Sequence, residues 1–281
     1  MLAHADAGDL LALVPAAAID LVYLDPPFGT GIARTGRRGA GYADALPSGI
    51  DGYITWLRTL LAECHRVLRP SGSLFLHLDW RASHRARVVL DELFGEACFR
   101  NEIVWHYGLG GGAPSDAFAR KHDTILFYAR SDASIFHAER GPVTAAMDAK
   151  YAHVDESGRR YQNAHGRRYY LQGGKRLDDV WELPAIAPTA RERVGWPTQK
   201  PLALLERIVR AVCDPGACVL DPCCGSGTAL VAAAALGLRA VGGDRAAEAV
   251  EITARRLTGL TAASQTRPIL RVRDLDERVL P

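Results

Sequence analysis

Apolar and polar positions along the chain follow two periods in turn, and the switches between them outline the elements. Ile19 to Leu24 is an apolar run of the kind that a strand buried on both faces requires. Tyr53 to Leu68 places Ile54, Leu57, Leu60, Leu61, Cys64 and Leu68 at helical spacing and stops at Arg69-Pro70-Ser71-Gly72. Ser73 to Leu78 predicts a short strand and Ser83 to Phe94 a helix. Glu102 to Tyr107 and Thr124 to Tyr128 flank a glycine-rich GLGGGAPS and predict an antiparallel pair at a sheet edge. From Ser131 to Pro197 the pattern weakens and turn residues dominate. Alternation then returns, with helices over Leu202 to Val212, Thr228 to Leu236 and Ala246 to Leu257, and strands over Ala217 to Leu220 and Leu238 to Gly242. Strands separated by helices of this length predict an α/β fold with a mostly parallel, doubly wound sheet, split by an irregular insertion.

Composition adds limits rather than identity. A chain of 281 residues, 48% hydrophobic and 23% charged, supports a sizeable core in one large domain. The formal net charge is only +2, so any nucleic-acid argument must rest on local clusters. No run of 18 apolar residues occurs, and Met1 leads into neither a basic segment nor an apolar leader. The sequence therefore predicts a cytoplasmic protein without a membrane span or signal peptide. Its six cysteines, Cys64, Cys98, Cys213, Cys218, Cys223 and Cys224, read as reduced thiols in such a compartment. The adjacent Cys223-Cys224 lacks the CxxC spacing of a zinc site, and no metal is expected.

Two stretches carry chemistry. In VLDPCCGSGTALVAAAALGLRAVGGD a strand ends at Asp221, Gly225 and Gly227 form a turn, and a helix opens near Thr228. A second strand ends at Asp244, nineteen residues past Gly225. Glycines admit close approach of a ligand to the backbone, and the second acid suits ribose hydroxyls. A nicotinamide dinucleotide is the first alternative. It would need GxGxxG, whereas Leu230 stands at the third glycine, and Asp221 before the loop would repel a pyrophosphate. An acid there favours a cationic ligand, such as the amino acid end or sulfonium of S-adenosylmethionine.

The second stretch is IDLVYLDPPFGTG, Ile19 to Gly31. Asp25 ends a buried strand at the edge where open α/β sheets place their ligands. Pro26 and Pro27 remove two backbone donors and fix φ, which sets the direction of the carbonyls, while Phe28 offers a flat apolar face. A carboxylate and a proline carbonyl can accept both N–H bonds of a ring-borne amino group while the aromatic ring stacks on the base.

Together these motifs resemble the amino-group DNA methyltransferases in the β-group arrangement, where a (D/N/S)PP(Y/F/W) motif precedes a target-recognition region and the cofactor loop comes last. The likeness extends to PSGSLFLHLD (Pro70 to Asp79), LDELFGEACFRNEIVWHY (Leu90 to Tyr107), KHDTILFYAR (Lys121 to Arg130) and WPTQKPLALLERIV (Trp196 to Val209). It implies a Rossmann-like sheet with a reversed C-terminal-type strand, S-adenosylmethionine as methyl donor and a flipped base in double-stranded DNA as substrate. By position, Asp25, Pro26, Pro27 and Phe28 would form the amino-group pocket. Asp221, Pro222, Cys223, Gly225, Gly227, Thr228 and Asp244 would hold the cofactor together with Asp25, Asp79, Thr198, Gln199 and Lys200, the last opening a helix suited to the cofactor's carboxylate. Cys223 departs from the phenylalanine usual in this loop. The resemblance divides the chain into a catalytic half at 1–130, a recognition insertion at 131–197 and a cofactor half at 198–281. An initial Asp and final Phe in the motif lean toward adenine over cytosine. A decayed site that merely binds DNA is the other alternative.

Two basic stretches suit phosphates. Ser157 to Arg176 contains Arg159, Arg160, Arg167, Arg168, Lys175 and Arg176 without an acid, interleaved with Tyr161, Tyr169 and Tyr170. Arg34 to Tyr42, with Arg37 and Arg38, follows the first motif and reads as a mobile loop that would order over a flipped base. A cognate restriction endonuclease or a second copy of the chain would be compatible partners, and no residue pattern specifies either.

Overall fold

The computed structural model describes residues 1–28, 33–35, 41–43, 49–108, 114–263 and 272–274. The chain divides into two compact units, Met1–Phe136 with Asp179–Pro281, and His137–Asp178. In the larger unit the elements before the break are β1 (Leu2–His4), α1 (Ala7–Leu13), β2 (Ile19–Leu24), β3 (Ala33–Thr35), β4 (Gly41–Ala43), α2 (Gly49–Val67), β5 (Leu68–Leu78), α3 (Ser83–Phe94), β6 (Phe99–His106) and β7 (His122–Ala129). The smaller unit holds α4 (Ala145–Lys150), β8 (His153–Val154), β9 (Arg160–Ala164) and β10 (Arg167–Tyr170). The larger unit resumes with β11 (Val180–Glu182), α5 (Leu202–Val212), β12 (Cys218–Asp221), α6 (Thr228–Ala235), β13 (Arg239–Asp244), α7 (Ala247–Ala263) and β14 (Val272–Asp274).

Among the described residues nine strands form one sheet in the order β11-β6-β7-β5-β2-β12-β13-β1-β14. Every neighbouring pair is parallel except the two involving β7, which is the one strand running against the rest. This is the Rossmann-like, mostly parallel sheet that the sequence predicts, and its reversed strand is β7, in the middle of the chain. The side-chain period of two explains the apolar run of β2. Val22 and Leu24 enter a core with Leu74, Leu76 and the inner faces of α1, α2 and α3, whereas Leu21 and Tyr23 pack on the opposite face with Phe75, Leu204 and Ile208. Asp20 interrupts the run and is buried, but Arg69 reaches both of its oxygens (2.9 and 3.0 Å) and the Cys218 amide bonds it at 2.8 Å. A buried carboxylate so paired escapes the cost of isolation.

Three differences from the predicted elements have local causes. Strand β5 begins at Leu68 and runs through Pro70-Ser71-Gly72, the predicted stop, with a register shift opposite Ile19 and Leu21. Gly72 permits this passage, since a Cβ there would lie 2.9 Å from the Ile19 carbonyl oxygen. Strand β1 is too short to give a periodic signal, yet Leu2 pairs with Gly242 and the strand lies between β13 and β14. In the irregular stretch, Val180–Glu182 adds a parallel strand beside β6.

The smaller unit is built on a three-stranded antiparallel sheet in the order β10-β9-β8. His165 and Gly166 join β9 to β10 with φ of 49° and 71°, the paired positive values of a two-residue hairpin turn. Arg159 lies over the Tyr170 ring and Arg168 over the Tyr161 ring, at 4.4 and 4.8 Å from the centroids.

Candidate active site

Adjacent parallel strands end in acids along one edge of the large sheet. Asp25 follows β2, Asp221 ends β12 and Asp244 ends β13. They line an open cleft of about 930 Å³, mouth included, and the cleft is also lined by Pro26, Pro27, Phe28, Thr198, Gln199, Lys200, Pro222, Cys223, Gly225 and Thr228. The residues of both sequence motifs, separated by nearly 200 positions, thus face one space.

The cofactor loop is held by its own acids. Asp244 accepts the Gly225 and Ala246 amides, one on each carboxylate oxygen and each at 2.9 Å. Asp221 accepts the Cys223 amide at 3.2 Å, and Arg256 donates to the Ser226 carbonyl at 2.7 Å and the Thr228 hydroxyl at 3.0 Å. Gly227 caps α6 with φ 74° and does not itself line the cleft. A Cβ at Gly227 would lie 2.3 Å from Thr253 Cγ2, so both conformation and packing demand glycine. Burial, reinforced by the neighbouring Asp25 and Asp244 carboxylates, pushes Asp221 well above the usual carboxylate range. Asp244 is also raised by burial, although its two amide bonds oppose the shift.

Lys200 is the main surprise. The residue precedes α5 and is 8% exposed, and its Nζ lies 2.5 Å from Asp25 Oδ2 and 5.5 Å from the centre of the Phe28 ring. Instead of standing apart for a cofactor carboxylate, it is the counter-ion of the motif's acid. Glu192 meanwhile takes the Leu202 amide at the start of α5, and Gln199 bonds the Val194 amide and the Glu192 carbonyl.

Behind the motif, Tyr23 and His77 share a hydrogen bond of 2.8 Å at Nδ1, and His77 Nε2 lies 3.2 Å from Asp123. A phenol donor on Nδ1 and a carboxylate on Nε2 suit the Nε2-protonated ring. Burial alone would raise Asp123, but His77, Lys200 and His122 outweigh it and hold this carboxyl below its ordinary value. His77 also faces Phe28, with centroids 6.3 Å apart. This chain of contacts was invisible to sequence spacing, because Tyr23, His77 and Asp123 come from three different strands.

Other expected residues sit elsewhere. Asp79 does not line the cleft. Its carboxylate takes the Arg81 amide at 2.9 Å and pairs with the Arg81 guanidinium, and its carbonyl takes the Ala82 and Ser83 amides that open α3. Arg37 and Arg38 lie outside the described residues. In the smaller unit, Arg159 pairs with Asp155, Arg160 with Asp148 and Lys175 with Asp178, while Arg167, Arg168 and Tyr169 are exposed on β10. Arg176 bridges Arg140 through the backbone. Sequence reasoning missed Trp56 and Trp196, which bring two indoles to the cleft that holds Cys223. Among the described residues no three His, Cys, Asp or Glu side chains converge as a metal site, and no helix is long and apolar enough to cross a membrane.

Comparison with known proteins follows the same lines. A family model described as DNA methylase matches residues 19–255. The DNA adenine methyltransferase YhdJ of Escherichia coli (strain K12) is 30% identical over 255 residues, covering 90% of this chain and 81% of that protein. In fold, the PvuII DNA methyltransferase, cytosine-N4-specific, aligns with a TM-score of 0.61 at 15% identity over 91% of this chain and 85% of that one. The SAM complex of M1.HpyAVI aligns with a TM-score of 0.60 at 19% identity over 92% of this chain and 98% of that one.

Proposed function

The chain belongs to the N6/N4 DNA methylase family, and within it we propose that it methylates the exocyclic amino group of a flipped adenine in duplex DNA. The observation that carries this reading is the convergence of Asp25–Phe28 and the Asp221–Thr228 loop on one cleft. Asp6, Asp25, Asp221 and Asp244 outnumber Lys200 and Arg245 on its walls, which fits a cationic ligand. S-adenosylmethionine is the cofactor, and when bound it supplies a methyl group on a sulfonium. Asp221 and the turn at Gly225 hold it, with Asp244 fixing the turn from beneath.

Asp25 Oδ1 and the Pro26 carbonyl accept the two N–H bonds of the base, and Phe28 stacks on its ring. These acceptors direct the nitrogen lone pair along the line of transfer and stabilise the positive charge that grows there. The bound cofactor would supply its methyl group to that nitrogen and keep the electron pair of the broken S–CH3 bond on sulfur, and the methylated amine would pass its proton to solvent. Such acidity of the methylated nitrogen makes a strong general base unnecessary. Tyr23, His77 and Asp123 act one layer behind, fixing the strand end that carries Asp25. Adenine is favoured by the Asp and Phe of the motif and by the activity of YhdJ. Nucleoside mass spectrometry of mixed-sequence DNA after reaction tests it: 6-methyladenine is expected, and 4-methylcytosine alone would reassign the base.

A further inference from the structure

Resting on the DNA reading above, we infer that Trp80, Arg81 and Arg120 form a phosphate-gripping site on the larger unit, separate from both basic stretches that the sequence singled out. Trp80 follows β5 on the edge that carries Asp25, and it is 48% exposed. The Arg81 guanidinium carbon lies 5.1 Å from the Trp80 ring centre and that of Arg120 lies 4.3 Å away. Arg120 comes from a distant segment. Antiparallel pairing of Leu78 with Thr124 returns the start of β7 to the end of β5, which brings Arg120, Lys121 and His122 back to the same edge.

Core packing does not account for this cluster. Its indole is half in water, and nearby in sequence Phe118 is 96% exposed. A guanidinium stacked on an aromatic face is held in one plane, sheds little hydration, and keeps its N–H fork aimed outward. That geometry matches the oxygens of a phosphodiester, which planar bidentate donors recognise. Asp79 engages Arg81 on the inner side, which takes up part of the Arg81 charge and leaves Arg120 with the larger share of the attraction for a strand. Arg120 has no carboxylate partner among the described residues. A base flipped toward Asp25 leaves its flanking phosphates at the surface of this same edge, and two preset guanidiniums there complement them in charge.

The test uses the full chain, S-adenosylhomocysteine and a mixed-sequence duplex, with anisotropy read over a range of salt. Arg81→Ala with Arg120→Ala should flatten the log-affinity against log-salt slope by between about 1 and 2, Arg120 giving near 0.9 and Arg81, part-neutralised by Asp79, less, and weaken low-salt binding by about fivefold or more. Affinity for S-adenosylhomocysteine should not change. Arg81→Ala keeps the backbone amide that bonds Asp79. Arg120→Ala alone, at an exposed site, should flatten the slope by about 1 even if the double variant folds poorly. A wild-type slope and affinity in both variants would overturn the site while leaving the methylase intact. Failure of the wild-type chain to bind or methylate duplex would instead overturn the reading on which it rests.

Discussion

At the scale of single residues the site is an arrangement of acids around one buried lysine. Asp25→Ala should abolish turnover and change cofactor affinity only modestly, because the proposed role of Asp25 is toward the base, whereas Asp221 and Asp244 organise the turn at Gly225. Retained methylation in that variant would refute the assignment. Asp221 makes a pH prediction whose sign is fixed by burial. Its pKa is raised in the folded chain and ordinary in the unfolded one, so the folded state keeps a proton that the unfolded state has lost. The stability this proton gives is full below the ordinary carboxylate pKa and is lost as pH rises through the raised value. A cationic ligand reverses the preference, since it favours the ionised acid. Affinity for S-adenosylhomocysteine, whose ammonium group is cationic, should therefore climb as pH rises above the ordinary carboxylate range. Asp221→Asn should bind more weakly and flatten that climb; calorimetry showing the same pH profile in the variant would remove Asp221 from the ligand.

At the scale of elements the cofactor turn depends on conformations that only glycine adopts cheaply. Gly227→Ala places a methyl 2.3 Å from Thr253 Cγ2 at φ 74°, so it should lower unfolding free energy by about 2 kcal/mol or more and raise the S-adenosylhomocysteine Kd at least tenfold. Thermal melts and calorimetry would show both, and an unchanged Kd would mean that the turn does not shape the ligand site. This turn was legible in the sequence because GxG between a strand and a helix has a local physical cause. So were α3 and α5, whose predicted and observed limits coincide. Leu68–Leu78 was misread because Pro70 and Gly72 signal a stop locally, while tertiary pairing to β2 carries the strand through them. The Lys200–Asp25 pair and the Tyr23–His77–Asp123 chain were not legible as contacts, although Lys200 and Asp25 were each expected at the site. They are set by where strands meet in space, and no spacing along the chain encodes that.

At the scale of the whole molecule, the division of labour is between a sheet that carries the chemistry and a small basic unit with its own hydrogen-bonded framework. The sequence marked the basic, tyrosine-rich stretch but did not distinguish its charges. Its structure does: Arg159 and Arg160 are paired with Asp155 and Asp148, so part of their charge is spent on holding the unit together. Arg167 and Arg168 are both exposed on β10, and among the described residues neither has a carboxylate partner. Exposed, unneutralised arginines on a short sheet are the ones able to displace counter-ions from a duplex. Arg167→Ala with Arg168→Ala should thus weaken duplex binding by about tenfold or more at low salt and flatten its salt slope by about 2. Substitution at Arg159 should act differently, lowering the melting temperature through loss of the Asp155 pair and of the stack on Tyr170. Cofactor affinity should be unchanged in the β10 variant, since every described residue lining the cofactor cleft belongs to the larger unit. If duplex affinity and slope in that variant equal those of the wild-type chain, the smaller unit is not where DNA phosphates are held.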